Sequence, residues 1–402
     1  MSTHCSQPSR ASPYQTSAYC LGYNGICRVD SKNPLSEMPM SIRDQGAVLQ
    51  MSMSPDGVLA TVSILGHVKL WYHQDNQWSL LGTLRDGEEP AIEEFYCGVW
   101  LEDYYAAAGK RKDRHAWNDE EDDNQMLPGV VKVFNPDGSV LHRLEGHEEE
   151  ILFLKKVSYA GQNILLSCSQ DGYIFCWTFS PDWTVLLNHT RLIDDISCMV
   201  FSVEPLPGTG DRLLLAACDD KLRIFDMESM RLVQSFDTAF TSFCDHAVIV
   251  DPQYLDPVLY PRTEGDWFVL ARGVELLNND TLQPMAENSI RLFRLSLVGS
   301  TFKLQQCRVF ADPQYQANSW LLRLAVSGSL VAAPTVTGSV VLLNLNRKPD
   351  LTVGWLCHHD QLEVRQVLFH QDSLFSCADD GMDLKLYKYF LVTNATDDYI
   401  FD

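Results

Sequence analysis

One arrangement of apolar and polar positions returns along the chain: a short apolar run, a small polar turn, and a second apolar run ending on a bulky side chain. The clearest copy is 165–177, where Leu165, Leu166 and Cys168 lead into Gln170, Asp171 and Gly172, and Ile174, Phe175 and Cys176 lead out to Trp177. Weaker copies occupy 57–71, 213–225, 268–293, 330–343 and 374–387, and a heavily interrupted one occupies 104–134. Apolar runs this short, bounded by turn-forming residues, predict paired strands rather than helices.

The second runs end at Trp71, Phe134, Trp177, Phe225, Phe293, Leu343 and Tyr387. Three of the six intervals between these residues lie near a period of roughly 40 to 45, and the two longest contain visible insertions. A unit of this size cannot bury its own apolar face and must stack on its neighbours. In the clearest copy Gly146 and His147 stand ahead of Ile151, with Ser167, Asp171 and Trp177 following.

These residues resemble the WD40 family, and the resemblance extends over about 46–387. It implies an all-β fold, a seven-bladed WD40 β-propeller, with His147, Ser167, Asp171 and Trp177 linked by hydrogen bonds inside one blade. A tight turn between strands leaves polar groups half buried, and a satisfied side-chain network removes that cost. The role is therefore structural. A hydrolytic pair of Ser167 and His147 would need an accessible nucleophile and an oxyanion site. Other copies keep only fragments: Ser376 and Asp380 are spaced like Ser167 and Asp171, with His358 or His359 upstream, while Asp220 follows Ala216 and lacks the hydroxyl.

Family propellers usually close by adding an N-terminal strand to the last blade, which leaves no open edge. The apolar text of 17–29, with Tyr19, Leu21, Tyr23 and Ile26, suits that role, and 389–392 is the rival. The expected organisation is a disordered tail at 1–16, one propeller at 17–393, and a C-terminal tail at 394–402. Val48 to Met53 should form the first inner strand, followed by a turn at 54–57. In the second blade 110–127, basic at Lys110 to Arg114 and acidic from Asp119, should be an exposed loop.

Composition narrows the function. The 402 residues are 46% hydrophobic and 21% charged, an ordinary globular mixture. No apolar run approaches the roughly 20 residues of a membrane-crossing helix, and the first residues lack the basic and apolar regions of a secretory leader. Twelve scattered cysteines without a Cys-x-x-Cys pair predict an intracellular protein, nuclear or cytoplasmic, with thiols such as Cys168, Cys176, Cys218 and Cys377 packed in strands. A net charge of −22 disfavours nucleic acid and anionic membrane as partners and favours basic protein segments. No phosphate-binding glycine loop, metal-ligand set or nucleophile elbow is present, so no cofactor, metal or small-molecule substrate is expected.

In a propeller the loops between second and third strands share a face with the segments leading into the inner strands. That face should collect Glu93 and Glu94, then Glu148, Glu149 and Glu150, then Asp194 and Asp195, with Asp119, Glu120, Glu121, Asp122 and Asp123 from the insertion. Trp117 and Trp320 are candidate aromatic anchors, with packing inside the propeller the alternative for each and the commoner role for a tryptophan such as Trp320. The expectation is a non-enzymatic interaction platform that binds a protein partner through a Lys- or Arg-rich segment. A reader of basic, histone-like tails or a ubiquitin-ligase substrate receptor is the alternative. One class of such receptors carries Trp-Asp-x-Arg after the third strand, and none of the matching places here, beginning at Trp71, Trp177 and Phe225, has the arginine.

Overall fold

The structure is a computed structural model. It describes residues 19–22, 25–29, 47–74, 77–87, 92–112, 126–192, 198–238, 240–357, 362–371, 373–378 and 387–392. Apart from one 3-10 turn at Pro252–Tyr254, every described element is a strand. Six sheets each form an antiparallel meander of four strands taken in chain order, the second carrying the extra short strand Met126–Leu127. A further sheet orders Tyr19–Gly22, Gly25–Val29, Tyr387–Val392, Ser373–Ala378 and Val364–His370. The arrangement is that of a β-propeller.

The first strand of each four-stranded meander lies innermost, as does Val364–His370 in the further sheet. These strands touch one another in chain order, and Val364–His370 returns to touch Val48–Met53. Side chains reinforce the joints between sheets. Gln50 donates to the Gly98 carbonyl at 3.1 Å and accepts from the Gly98 N–H at 2.6 Å. Ser202 accepts from the Ala247 N–H at 3.2 Å, and Gln366 accepts from the Met51 N–H. Inner-strand backbone is thereby satisfied laterally, where a meander alone would leave it unpaired.

The core lies between sheets, not inside any one of them. Phe153, Ile164, Leu166 and Cys168 of the third sheet pack against Val200, Leu214, Ala216 and Phe225 of the fourth. Leu215, Ala217 and Ile224 of the fourth pack on Phe240, Val269 and Phe293. The alternation along each strand explains this, because successive side chains face opposite neighbours.

The run-ending residues Trp71, Phe134, Trp177, Phe225, Phe293 and Leu343 are all buried on third strands. Val48–Met53 has the boundaries anticipated from its apolar run. Gly57, at φ +82°, closes the first turn in a conformation that suits glycine. Two expectations need correction. The second strand of the second sheet continues through the basic residues to Lys112, so the loop does not begin at Lys110. Arg111 and Lys112 find partners in Leu127 and Met126, and that pairing offsets the poor strand character of a basic run. In the last sheet the third strand is Tyr387–Val392, not a strand ending at Tyr387. The rival closing segment 389–392 belongs to it, with Tyr389 opposite both Leu374 and Val29.

Candidate functional site

The residues of the clearest repeat converge. His147 lies between two partners, with Nδ1 2.8 Å from Asp171 Oδ2 and Nε2 2.8 Å from Ser167 Oγ. Trp177 Nε1 donates to the same hydroxyl at 2.8 Å. Asp171 also accepts the backbone N–H groups of Glu148 at 3.0 Å and Tyr173 at 2.9 Å. Burial raises the Asp171 carboxyl, but the bond and charge of His147 and the two N–H donors outweigh it, holding the group below the usual carboxylate range. Phe175 covers the assembly, its ring 4.6 Å from His147 and 5.3 Å from Trp177. Gly146 fits closely beneath it, since a Cβ there would lie 3.0 Å from Phe175 and would press on the ring. Ser167 is wholly buried and already engaged twice, so its hydroxyl serves the fold.

The same network pins the chain at the segment leading into the third sheet, and there Glu148 and Glu149 point their exposed side chains to solvent. Glu150, half buried, pairs with Lys110 at 3.4 Å. Glu94 joins this group through Tyr96, whose hydroxyl lies 3.5 Å from Glu94 Oε2. Burial, then the charges of Glu150 and Glu94, push the Tyr96 phenol well above its ordinary range. Glu94 and Glu150 are therefore brought together.

Glu93 is not part of that exposed set. It is buried within strand Ile92–Leu101, where Lys132 Nζ lies 3.4 Å away. Lys132, wholly buried, donates to Asp86 at 2.7 Å, and Arg143 grips Asp86 with two bonds of 2.8 Å. The expectation of a surface carboxylate fails because Glu93 and Phe95 take alternate, inward positions of one strand. Trp117, Asp119, Glu120, Glu121, Asp122, Asp123, Asp194 and Asp195 lie outside the described residues. Trp320 is exposed, at 38%, with the edge of its ring against Phe201 at 6.1 Å between centroids.

A second set of charges occupies the middle of the ring. Arg323, on the segment leading into the sixth sheet, donates to the Tyr96 carbonyl at 2.9 Å and the Leu152 carbonyl at 2.8 Å. Tyr96 and Leu152 belong to inner strands of the second and third sheets, so this guanidinium spans the axis. Its face lies 5.7 Å from the Phe153 ring. Beside it Arg272 bonds the carbonyls of Ala317, Ser319 and Leu322 and stands 3.1 Å from Asp245. Burial, opposed by Arg272, pushes Asp245 up to about 6, and burial with the nearby arginines pushes His246 down to about 3. The one trace in the sequence is a lone arginine between leucines, Leu322-Arg323-Leu324, just ahead of a strand.

Among the described residues no group of histidine, cysteine and carboxylate side chains is arranged to hold a metal ion. The model of the family described as WD domain, G-beta repeat matches residues 133–178. That span contains the hydrogen-bonded set built on His147 and Trp177. No curated protein matches the chain.

Proposed function

The chain is a WD40-repeat β-propeller, and from that premise we propose that it is a non-enzymatic interaction platform which holds a basic segment of a partner protein on its acidic top face. WD40 propellers generally serve as interaction scaffolds, but fold alone does not name a partner. The observation that carries the reading is the presentation of Glu148 and Glu149. Their backbone is held by the Glu148 N–H bond to Asp171 while both side chains are exposed. A held backbone keeps both carboxylates on this face when a cation arrives, and a net charge of −22 draws basic segments in before contact. The half-exposed Trp320 supplies an anchor of the type that dominates interface energetics. The hydroxyl and imidazole that could suggest hydrolysis are committed to Trp177 and Asp171.

The same reading takes the ring as seven-bladed and closed by 17–29. Strand Gly25–Val29 pairs with Tyr387–Val392, Ile26 opposite Val392, which supports it. It also takes the protein as intracellular, nuclear or cytoplasmic. Cys97, Cys168, Cys176, Cys198, Cys218, Cys244, Cys307 and Cys377 are free thiols, as a reducing compartment favours.

Reversal tests the acidic face. Glu148, Glu149, Asp194 and Asp195 changed together to lysine should abolish binding of the principal partner, mainly through slower association, with the melting temperature unchanged. Four reversals elsewhere should leave binding intact, and wild-type binding should weaken as salt rises. Equal losses from both sets would reduce the sector to solubilising charge.

A further inference from the structure

The strongest unassigned feature is a groove on the same face, over the fifth and sixth sheets. Strands Trp267–Val274 and Ser289–Val298 are joined by an insertion folded into a hairpin of its own. Leu277 bridges Pro284, the Met285 N–H donates to the Leu276 carbonyl at 2.7 Å, and the Asn278 N–H donates to the Gln283 carbonyl at 2.8 Å. Asn278 Oδ1 accepts the N–H groups of Asp280 and Thr281 at the tip.

The base of the hairpin is clamped. Asn318 Oδ1 accepts the Glu275 N–H at 2.7 Å and Asn288 Nδ2 at 2.8 Å, while Asn318 Nδ2 returns a bond to the Glu275 carbonyl at 3.0 Å. Asn288 Oδ1 accepts the Ala317 N–H at 2.9 Å, and the Glu275 carboxylate accepts the Thr241 N–H at 3.0 Å. This much polar bonding fixes the hairpin against both adjoining segments.

What it holds out is apolar. Leu276, Leu277, Leu282 and Met285 are 51%, 48%, 71% and 67% exposed. Leu282 also has φ +55°, a left-handed conformation uncommon for leucine. A rigid loop that keeps leucine and methionine in water at a backbone cost is better explained by contact than by folding. Between the hairpin, the segment 312–318 and Val336 lies a cavity of about 580 Å³. Leu277, Leu282, Met285 and Val336 give it apolar walls, and Glu287 and Asp312 are the charged side chains lining it, with no Lys, Arg or His.

Apolar walls with carboxylates alone for charge specify the occupant. We propose that this groove docks a short linear peptide of a partner protein, one bulky apolar side chain entering the cavity and a neighbouring Lys or Arg pairing with Glu287 and Asp312. The proposal rests on the platform reading and adds to it a place and a peptide chemistry distinct from the acidic sector. Methionine and leucine walls suit a side chain of variable shape.

The test selects from a phage-displayed library of random twelve-residue peptides on the full chain and measures the selected peptides by fluorescence anisotropy. Selected peptides should share a Leu, Ile, Met or Phe next to a basic residue. The double substitution Leu282→Asp and Met285→Asp, at exposed positions, should weaken them at least tenfold, and Glu287→Lys with Asp312→Lys should weaken them several-fold. Glu148→Lys with Glu149→Lys should leave them unchanged. A circular dichroism melt matching wild type shows that the variants are folded. Failure to select such peptides, or binding that survives the groove substitutions, overturns the proposal, as does a dimer in sedimentation that the double substitution dissolves, because the occupant would then be a second copy. The platform reading is judged separately, by whether the wild-type protein purifies from its own cell with stoichiometric partners. A complex indifferent to the groove variants refutes the groove alone, and absence of any complex refutes the platform.

Discussion

Removing the carboxylate of Asp171 gives the most direct measure of what the WD40 network contributes. Asp171→Ala deletes the acceptor for three donors: His147 Nδ1, the Glu148 N–H and the Tyr173 N–H. Glu148 is exposed and Tyr173 half-buried, so water can replace the carboxylate at both. His147 is 1% exposed, with Phe175 across its face, and water has poor access. One orphaned buried donor costs roughly 1 to 3 kcal/mol, and that is the expected loss. Urea unfolding followed by circular dichroism reads it as a lower midpoint at constant slope. Asp171→Asn, which keeps an acceptor but not the charge, should lose less. Because the folded carboxyl is held below its ordinary value, the ionised form stabilises the protein above the unfolded pKa, and the contribution disappears as pH falls through the folded one. The alanine variant should lack that part of the acid sensitivity. His147→Ala combined with Asp171→Ala should cost less than the two separately, since the second change removes a partner already lost. A midpoint for Asp171→Ala equal to wild type would refute the account.

Three further outcomes are expected. Lys132→Met should destabilise by roughly 3 to 5 kcal/mol in the same unfolding assay, because Asp86 and Glu93 lose a buried counter-charge; a neutral result would mean that Arg143 and water suffice. Between about pH 4 and 6 the folded protein holds a proton on Asp245 and the unfolded chain holds one on His246, so their linkage effects nearly cancel. In His246→Gln only the raised Asp245 remains, whose contribution is present at low pH and lost as pH rises through about 6, so acidification from 6 to 4 should stabilise the variant relative to wild type by roughly 2 to 3 kcal/mol; parallel pH profiles would refute this. Deleting 1–16 should be harmless and deleting 1–30 should cause aggregation through an unpaired strand edge; a monomeric, equally stable product of the longer deletion would show that 17–29 does not close the ring.

The strands were legible because each apolar run must face a neighbouring sheet on both sides, and that requirement writes itself locally as Val-Val-x-Val-Phe or Leu-Leu-Ser-Cys. The network around Trp177 was legible for a related reason: its members fall at characteristic places about one turn. Charges inside the ring were not. Glu93 follows the acidic text of 88–89 and looked like part of a loop, and its partner Lys132 comes from another strand. Asp86 and Lys132 are 46 positions apart. Arg323 meets Tyr96 across 227 positions, a pairing that exists only once the ring is assembled. Patterning reports which way a side chain faces, but it cannot say what waits there. The exposed hairpin of the fifth sheet was visible as an insertion, while its clamp depends on Asn318 from the following segment.

The middle of the ring bears on where a partner can bind. A propeller can receive a ligand in its axial passage, but here Arg323 crosses that passage to the second and third sheets, and Arg272 and Asp245 fill the space beside it. Displacing Arg323 would orphan a buried guanidinium and two carbonyls together, a cost of several kcal/mol that a peptide contact must first overcome. On the proposed reading a partner is left the rim of the top face, where Glu148 and Glu149 lie at the third sheet and the leucine-rich groove lies at the fifth and sixth. One extended partner engaging both places would gain through effective concentration, so substitutions at the two sites should show losses in its affinity that multiply. Two separate partners would each respond to one site and ignore the other. The double comparison distinguishes a single bivalent ligand from a scaffold that brings two proteins side by side.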